Sequence, residues 1–180
     1  MSFFKGIIAV ISTTLMLQNC YHQETLQGYF VENQEMSDFV FFDIPISFVS
    51  FDDVVLTEDQ RIAYQSINKL NILGYSANTT NHKNLDIELK KVNTLLKNKK
   101  YQELFRAGNS SDGKLLVKYI GKNNIIDELV IFTSANDKGF AIIRVLGDNM
   151  DLFKILKLAE VIDQFNTNQE DIKYMMSYFL

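Results

Sequence analysis

Three short apolar runs, separated by turn-forming residues, dominate the second half of the chain, over residues 115–120, 128–133 and 139–146. The separators are GKNN (residues 121–124) and ANDK (residues 135–138). Gly, Asn and Asp supply the backbone conformations that tight turns need, and strands joined by such short turns pair antiparallel. The sequence therefore predicts a three-stranded antiparallel meander, which ends at residues 147–149 (GDN).

Strand and helix patterns cover the first part of the chain. Residues 39–51 are dense in aromatic and β-branched side chains and predict a strand, which Pro45 confines to a sheet edge or bends. Thr57 and Gln60 have capping-box spacing, so we expect a helix over residues 58–67 with Ile62 and Ile67 facing inward. Residues 69–77 predict a second strand.

Two amphipathic segments predict further helices. The apolar spacing within residues 85–96 marks one face of a helix, and Tyr101, Leu104 and Phe105 suggest another helical turn. Residues 151–165 follow the same rule, and a capping box at residues 167–170 would start a last helix. The order of elements predicts an α+β fold of two layers, with the meander in a mixed sheet and the helices packed on one face.

The N-terminal segment carries Lys5 and then an apolar run over residues 6–17. A bilayer span needs about 20 apolar residues, so this run fits a signal peptide rather than a transmembrane helix. The alternative, a buried helix of the domain, would normally show a polar face. We expect a signal peptide over residues 1–19, a tether over 20–37 with a short helix at 25–32, and one domain over 38–180.

The segment Leu17-Gln18-Asn19-Cys20 resembles the lipobox of bacterial lipoproteins. Leu17 matches the pattern, while Asn19 stands where Gly or Ala is usual. Cys20 is the one cysteine of the chain, which excludes an intramolecular disulfide. The resemblance implies lipid attachment at Cys20 and, because no Asp follows it, an outer-membrane anchor facing the periplasm. The alternative is an unmodified thiol after a conventional signal peptide.

Composition and motifs favour no enzyme class. The formal net charge is −4, which argues against nucleic-acid binding. The two histidines, His22 and His82, have no second His or Cys at ligand spacing, so we expect no metal site. No Ser–His–acid arrangement and no phosphate-binding glycine loop is present in the sequence, and we expect no cofactor and no catalytic residues.

Four stretches resemble a known family: NKLNILGYS, KKYQELF, LVKYIGKNNIIDELVIF and DKGFAIIRVLGDNM. They are similar to an uncharacterised family of Bacteroidota lipoproteins, domain of unknown function 4252, over residues 38–162. The resemblance implies an envelope lipoprotein without an established activity. Members are often encoded near extracytoplasmic-function sigma factors, which suggests a regulatory role in the envelope.

One face of the predicted meander is a candidate surface for a protein partner. Strand alternation puts Glu128 and Arg144 there among apolar residues, whereas a solvated face would be more polar. The candidate set is Glu128, Val130, Phe132, Phe140, Ile142 and Arg144. The alternative is cover from within the chain, for which residues 174–180 are a candidate.

Two other surfaces are candidates. The aromatic residues 39–51 could dock a partner or form a buried strand. Basic side chains could bind anionic lipid or form a solvated helix face; they are Lys83, Lys90, Lys91, Lys97, Lys99, Lys100 and Arg106. The leading hypothesis is a non-enzymatic, lipid-anchored binding or regulatory module of the envelope, and the alternative is a structural lipoprotein that binds anionic lipid.

Overall fold

The computed structural model describes residues 24–49, 51, 54–109, 113–135 and 138–161. Four helices are described: α1 (Leu26–Asn33), α2 (Glu58–Ser66), α3 (His82–Leu96) and α4 (Leu152–Ala159). Six strands are described: β1 (Phe39–Pro45), β2 (Ile67–Ser76), β3 (Gln102–Asn109), β4 (Gly113–Lys122), β5 (Ile125–Ala135) and β6 (Gly139–Asp151). The predicted signal peptide, Cys20 and the predicted last helix lie outside the described residues.

The six strands form one sheet in the order β1-β2-β6-β5-β4-β3, and every neighbouring pair is antiparallel. The predicted meander is confirmed as β4, β5 and β6. Asn123 and Asn124 form its first turn with φ of 52° and 67°, the left-handed conformation that a two-residue hairpin favours. The edge position predicted for the strand with Pro45 is confirmed, but β1 ends at Pro45 and Ile46–Phe48 form a 3₁₀ helix, so the prediction of a strand over residues 39–51 was too long. The α+β class is confirmed, but the sheet is not mixed.

Helices cover both faces of the sheet. Successive side chains of a strand point to opposite faces. On one side, the first face, Val130, Phe132 and Ile142 pack with residues of α1 and α3. On the other, the second face, Leu129 and Val145 pack with residues of α2 and α4. The fold therefore has three layers, and the prediction of helices on one face was wrong because the central strands are apolar on both faces.

Helix α1 belongs to the domain. Leu26, Tyr29 and Phe30 are at most 3% exposed and lie in the core of the first face. The Tyr29 ring meets the Phe39 ring edge-on, with 6.1 Å between centroids. The short helix predicted near residue 25 is thus correct, but its assignment to a tether that ends at residue 37 was wrong. Two helical turns give too little periodicity to reveal a buried face.

Two local predictions also fail. The residues Tyr101, Leu104 and Phe105 do not extend a helix, because residues from Gln102 onward form β3 and pair with β4. In α2 the capping box is present, since Thr57 and Gln60 satisfy each other's backbone N–H groups. Ile62, however, is 37% exposed, and the buried positions of α2 are Gln60 and Ala63.

Candidate functional site

The six residues predicted as a partner face lie together on the first face, as strand alternation required. Val130 is paired with Arg144, and Phe132 with Ile142, across β5 and β6. Counted over whole residues, backbone included, none of the six is more than 7% exposed, because α1 and α3 pack over them. A partner cannot reach this face, so its prediction as a docking surface was wrong. The alternative, cover from within the chain, is correct, but the cover comes from α1 and α3.

A buried ion pair lies within this face. The Arg144 Nε–H donates to Glu128 Oε1 at 2.7 Å, and both side chains are less than a tenth exposed. The nearby Tyr101 hydroxyl is buried and has no hydrogen-bond partner in the part of the chain that the structure describes. Burial raises the pKa of Tyr101, and the charge of Glu128 raises it further. Arg144 and Glu128 thus hold each other in place inside an otherwise apolar core, while the Tyr101 hydroxyl beside them is unpaired within the described residues.

Hydrogen bonds tie helix α3 to its surroundings. The Tyr29 hydroxyl of α1 donates to Glu88 Oε2 at 2.7 Å, and burial raises the pKa of Tyr29 well above its usual range. The buried Lys118 ammonium of β4 donates to the Leu96 carbonyl at 2.7 Å. These bonds fix the covering helices on the first face.

The second face carries an apolar row across all six strands. Each residue of the row is paired with the next in the strand register. From β1 to β3 the row is Phe42, Ile72, Ile143, Ile131, Val117 and Phe105. Near β1 it packs with Val49, Phe51 and Tyr64. Towards β3 the side chains become exposed, and Phe105 is 51% exposed.

The adjacent row of the second face consists of small or uncharged residues. Strand register aligns Val40, Gly74, Ala141, Thr133, Leu115 and Ala107. Helices α2 and α4 pack mainly over the next row, which includes Leu129 and Val145, and reach only the margin of the apolar row at Val117 and Ile143. The result is an open patch, which we define as seven residues that are exposed or half-buried and carry no charge: Phe105, Ala107, Leu115, Val117, Ile131, Thr133 and Ile143.

A cavity of about 160 Å³ opens beside this patch. Space for the cavity arises where Gly74 has no side chain and Ala141 has only a methyl group, with Val40 and Thr133 beside them. The rest of the lining is mixed, with the rings of Tyr75 and Phe140 and the polar residues Ser76, Ser134 and Lys138. A cavity of about 150 Å³ is large enough to hold a benzene ring. The cavity can therefore receive one apolar side chain from a molecule that lies on the open patch.

The seven predicted basic residues are all exposed. Lys91 pairs with Glu88, and Arg106 pairs with Glu103. The Lys100 ammonium lies 4.9 Å from the centroid of the Tyr101 ring. The basic surface is thus interspersed with acidic side chains, as on an ordinary solvated helix.

Residues with catalytic or ligating chemistry are dispersed. Among the described residues, no three His, Cys, Asp or Glu side chains lie together as metal ligands would. His82 is exposed at the start of α3, and His22 lies outside the described residues. The pKa of Asp59 is lowered by hydrogen bonds from Lys157 and Lys154 on the surface. Within the same residues, no helix is long and apolar enough to cross a bilayer.

Comparison with protein families identifies the domain. A family model described as "Domain of unknown function (DUF4252)" matches residues 29–158. The chain belongs to the DUF4252 family. The matched stretch begins within α1 and ends within α4, so it includes all six strands and reaches further towards the N-terminus than the domain boundary predicted at residue 38. No curated protein and no solved structure matches the chain.

Sequence reasoning missed the open patch of this DUF4252 domain, although part of the signal was present. Alternation already showed that both faces of β5 and β6 are apolar. Ile131 and Ile143 alternate with the six residues of the predicted partner face, so they fall on the face that the predicted helices would cover. Phe105 could not be placed on the sheet because residues 101–105 were predicted to form a helical turn rather than a strand. These residues become neighbours only through the register of the paired strands, which cannot be read from the sequence alone.

Proposed function

We propose that this DUF4252 chain is a non-enzymatic binding module of the cell envelope. It is anchored by lipid at Cys20, faces the periplasm from the outer membrane, and docks an apolar segment of an envelope protein on the open patch. The proposed location and lipid attachment rest on three features of the sequence. They are Lys5, the apolar run over residues 6–17, and Leu17 three residues before the lone cysteine. Resemblance to Bacteroidota lipoproteins supports the same setting.

The observation that carries the binding proposal is the uncharged character of the open patch. It extends over four strands, β6, β5, β4 and β3, which is about 14 Å at the usual spacing between neighbouring strands. Two of its seven residues, Phe105 and Thr133, are exposed and the other five are half-buried. Contiguous apolar surface that water can reach marks interaction sites, because its burial is worth about 25 cal/mol for each Å² removed from water. Thr133 supplies the one hydroxyl of the patch, so acid–base chemistry has no groups to use there.

The cavity beside the patch favours a protein as the bound partner. Protein interfaces concentrate their binding energy in a few side chains that fill pockets on the other surface. The cavity lined by Gly74 and Ala141 is such a pocket, and it is concave. Insertion into a bilayer requires protruding apolar side chains instead. An apolar helix or loop with one large side chain therefore fits this surface best.

A photo-crosslinking experiment tests the proposal in the native envelope. The crosslinking amino acid benzoylphenylalanine is placed at position 131 of the lipid-anchored protein, and at position 87 as the control. Ile87 is 52% exposed on α3, which covers the first face, and it therefore lies away from the patch. We expect crosslinks from position 131 to an apolar segment of one envelope protein, and none to that protein from position 87.

Other occupants of the patch would overturn the proposal. Crosslinks from position 131 to residues 162–180 of the same chain would show internal cover, and crosslinks to position 131 of another copy would show self-association. Binding of the chain to anionic vesicles that is lost at high salt, and lost when Lys83, Lys90 and Lys97 are changed to Glu, would favour the lipid-binding alternative. Ile131→Asp should abolish the partner crosslink made from position 105.

A further inference from the structure

A second cavity, of about 250 Å³, lies on the first face between α1 and the strands β1, β2 and β6. Its lining is more polar than that of the cavity beside the open patch and includes charged side chains of both signs. The polar residues include Gln27 from α1, Asp43 from β1, Lys69 and Asn71 from β2, and Arg144 from β6. The Phe30 ring contributes an apolar wall. The volume of this cavity is larger than the roughly 150 Å³ of a cavity that holds benzene, so a small ligand fits.

Arg144 is held in a fixed position at this cavity. Its Nε–H donates to Glu128, and its guanidinium carbon lies 5.2 Å from the centroid of the Phe30 ring. The side chain is only 8% exposed. A guanidinium has five N–H donors, and among the described residues only the Nε–H of Arg144 has a partner. The four Nη–H donors therefore have no partner among the described residues. The edge of the guanidinium that carries them can donate two parallel hydrogen bonds to the two oxygens of a carboxylate.

Asn71 is a second buried polar group at the cavity. It is directly opposite Arg144 in the register of β2 and β6, so both side chains are on the same face. Asn71 is 6% exposed, and its amide makes no hydrogen bond to any described residue. Neither the amide of Asn71 nor the Nη–H groups of Arg144 are among the described buried side-chain atoms that lack a hydrogen-bond partner, so these polar groups are accessible from the cavity that both residues line. A ligand in the cavity can therefore form hydrogen bonds with both side chains.

The charges around the cavity favour a singly charged ligand. The charge of Arg144 is offset by Glu128, and that of Lys69 by Asp43, whose Oδ2 lies 3.0 Å from Lys69 Nζ. A dianion would be repelled by the two carboxylates, whereas a monoanion can be held by hydrogen bonds. The Phe30 ring provides contact for an apolar group on the same ligand.

We propose that this cavity binds a small monocarboxylate, with the Nη–H groups of Arg144 and the amide of Asn71 on its carboxylate and Phe30 on its apolar part. The site is on the face opposite the open patch and does not depend on the function proposed above. Because Arg144 is fixed before binding, little side-chain entropy is lost when the ligand enters.

Titration with benzoate, monitored by ¹H–¹⁵N NMR of the full chain carrying Cys20→Ser, tests the proposal. We expect saturable shifts at the amides of residues 27–34, 71 and 144, and none from sodium chloride at equal ionic strength. Asn71→Asp keeps the side-chain shape and places a carboxylate next to Arg144. It should weaken benzoate binding by about tenfold or more, as expected when a hydrogen bond to a charged group is replaced by repulsion.

A second variant keeps the test decisive if the first fails to fold. Lys69→Gln removes a half-exposed charge at the cavity and should preserve the fold, while it weakens benzoate binding by a few-fold. Shifts that rise without saturation, or that are unchanged in both variants, would overturn the proposal. Saturable binding of inorganic phosphate in preference to benzoate would contradict the assignment to a monocarboxylate.

Discussion

The variant Phe132→Asp should fail to fold. Phe132 is fully buried in the middle of β5, beneath α1 and α3, with its ring 6.1 Å from that of Phe140. The Lys114 ammonium lies 5.8 Å from the centroid of the Phe132 ring, but it already donates to Asn93 Oδ1. Burying a carboxylate at this position costs several kcal/mol out of the 5–15 kcal/mol that typically stabilises a domain. We expect circular dichroism to show no cooperative unfolding transition in urea.

The adjacent position supplies the matched control. Ile131 points to the second face and is half-buried within the open patch. A carboxylate at that position can reach water, so Ile131→Asp should fold and lose only about 1–2 kcal/mol of stability, mostly from lost apolar contact. Equal stability losses in the two variants would show that the assignment of the two faces is wrong.

The variant Glu128→Ala should lower the free energy of unfolding by about 3–5 kcal/mol, because removing one member of a buried pair leaves the other charge uncompensated. The charge left behind is the Arg144 guanidinium, whose side chain is 8% exposed. The measurement is the midpoint of urea unfolding, with the slope of the transition compared to that of the parent chain.

Two controls separate this effect from a general loss of charge. Glu103→Ala breaks the exposed pair with Arg106 and should hardly change stability. The double variant Glu128→Leu, Arg144→Leu removes both buried charges and should recover much of the loss, since apolar replacements of a buried pair are often neutral. If Glu128→Ala were as stable as Glu103→Ala, the pair could not be buried as described.

Local signals predicted much of the fold correctly. The meander was predicted from the turn residues at 121–124 and 135–138. Such residues set the backbone conformation of their own turn, so their effect is local and does not depend on distant segments. The capping box at Thr57 and the apolar spacing of residues 85–96 likewise located α2 and α3. In contrast, β3 is an edge strand with exposed charges such as Glu103 and Arg106, and its conformation follows from pairing with β4 rather than from its own pattern.

The candidate site was harder to predict because it depends on contacts between distant segments. Alternation in β5 and β6 divided the residues between two faces correctly. Which face is covered depends on α1, about 100 residues earlier in the chain, and on α3. The cavity of Arg144 and Asn71 likewise forms only when β2 and β6 pair and α1 packs over them.

Lipid attachment at Cys20 stays a prediction.

Cysteine labelling tests the central claim, that α1 and α3 close the central strands of one sheet face, where a cavity opens only beside Arg144, and that part of the other face is open. Cys20 is the only cysteine, so a Cys20→Ser background carries no competing thiol. Single cysteines are then introduced by Val130→Cys on the closed face and Ile131→Cys on the open patch. We predict rapid reaction of a maleimide dye at position 131 in the folded protein, and reaction at position 130 only after denaturation. Comparable rates at the two positions, or faster reaction at position 130, would contradict the account.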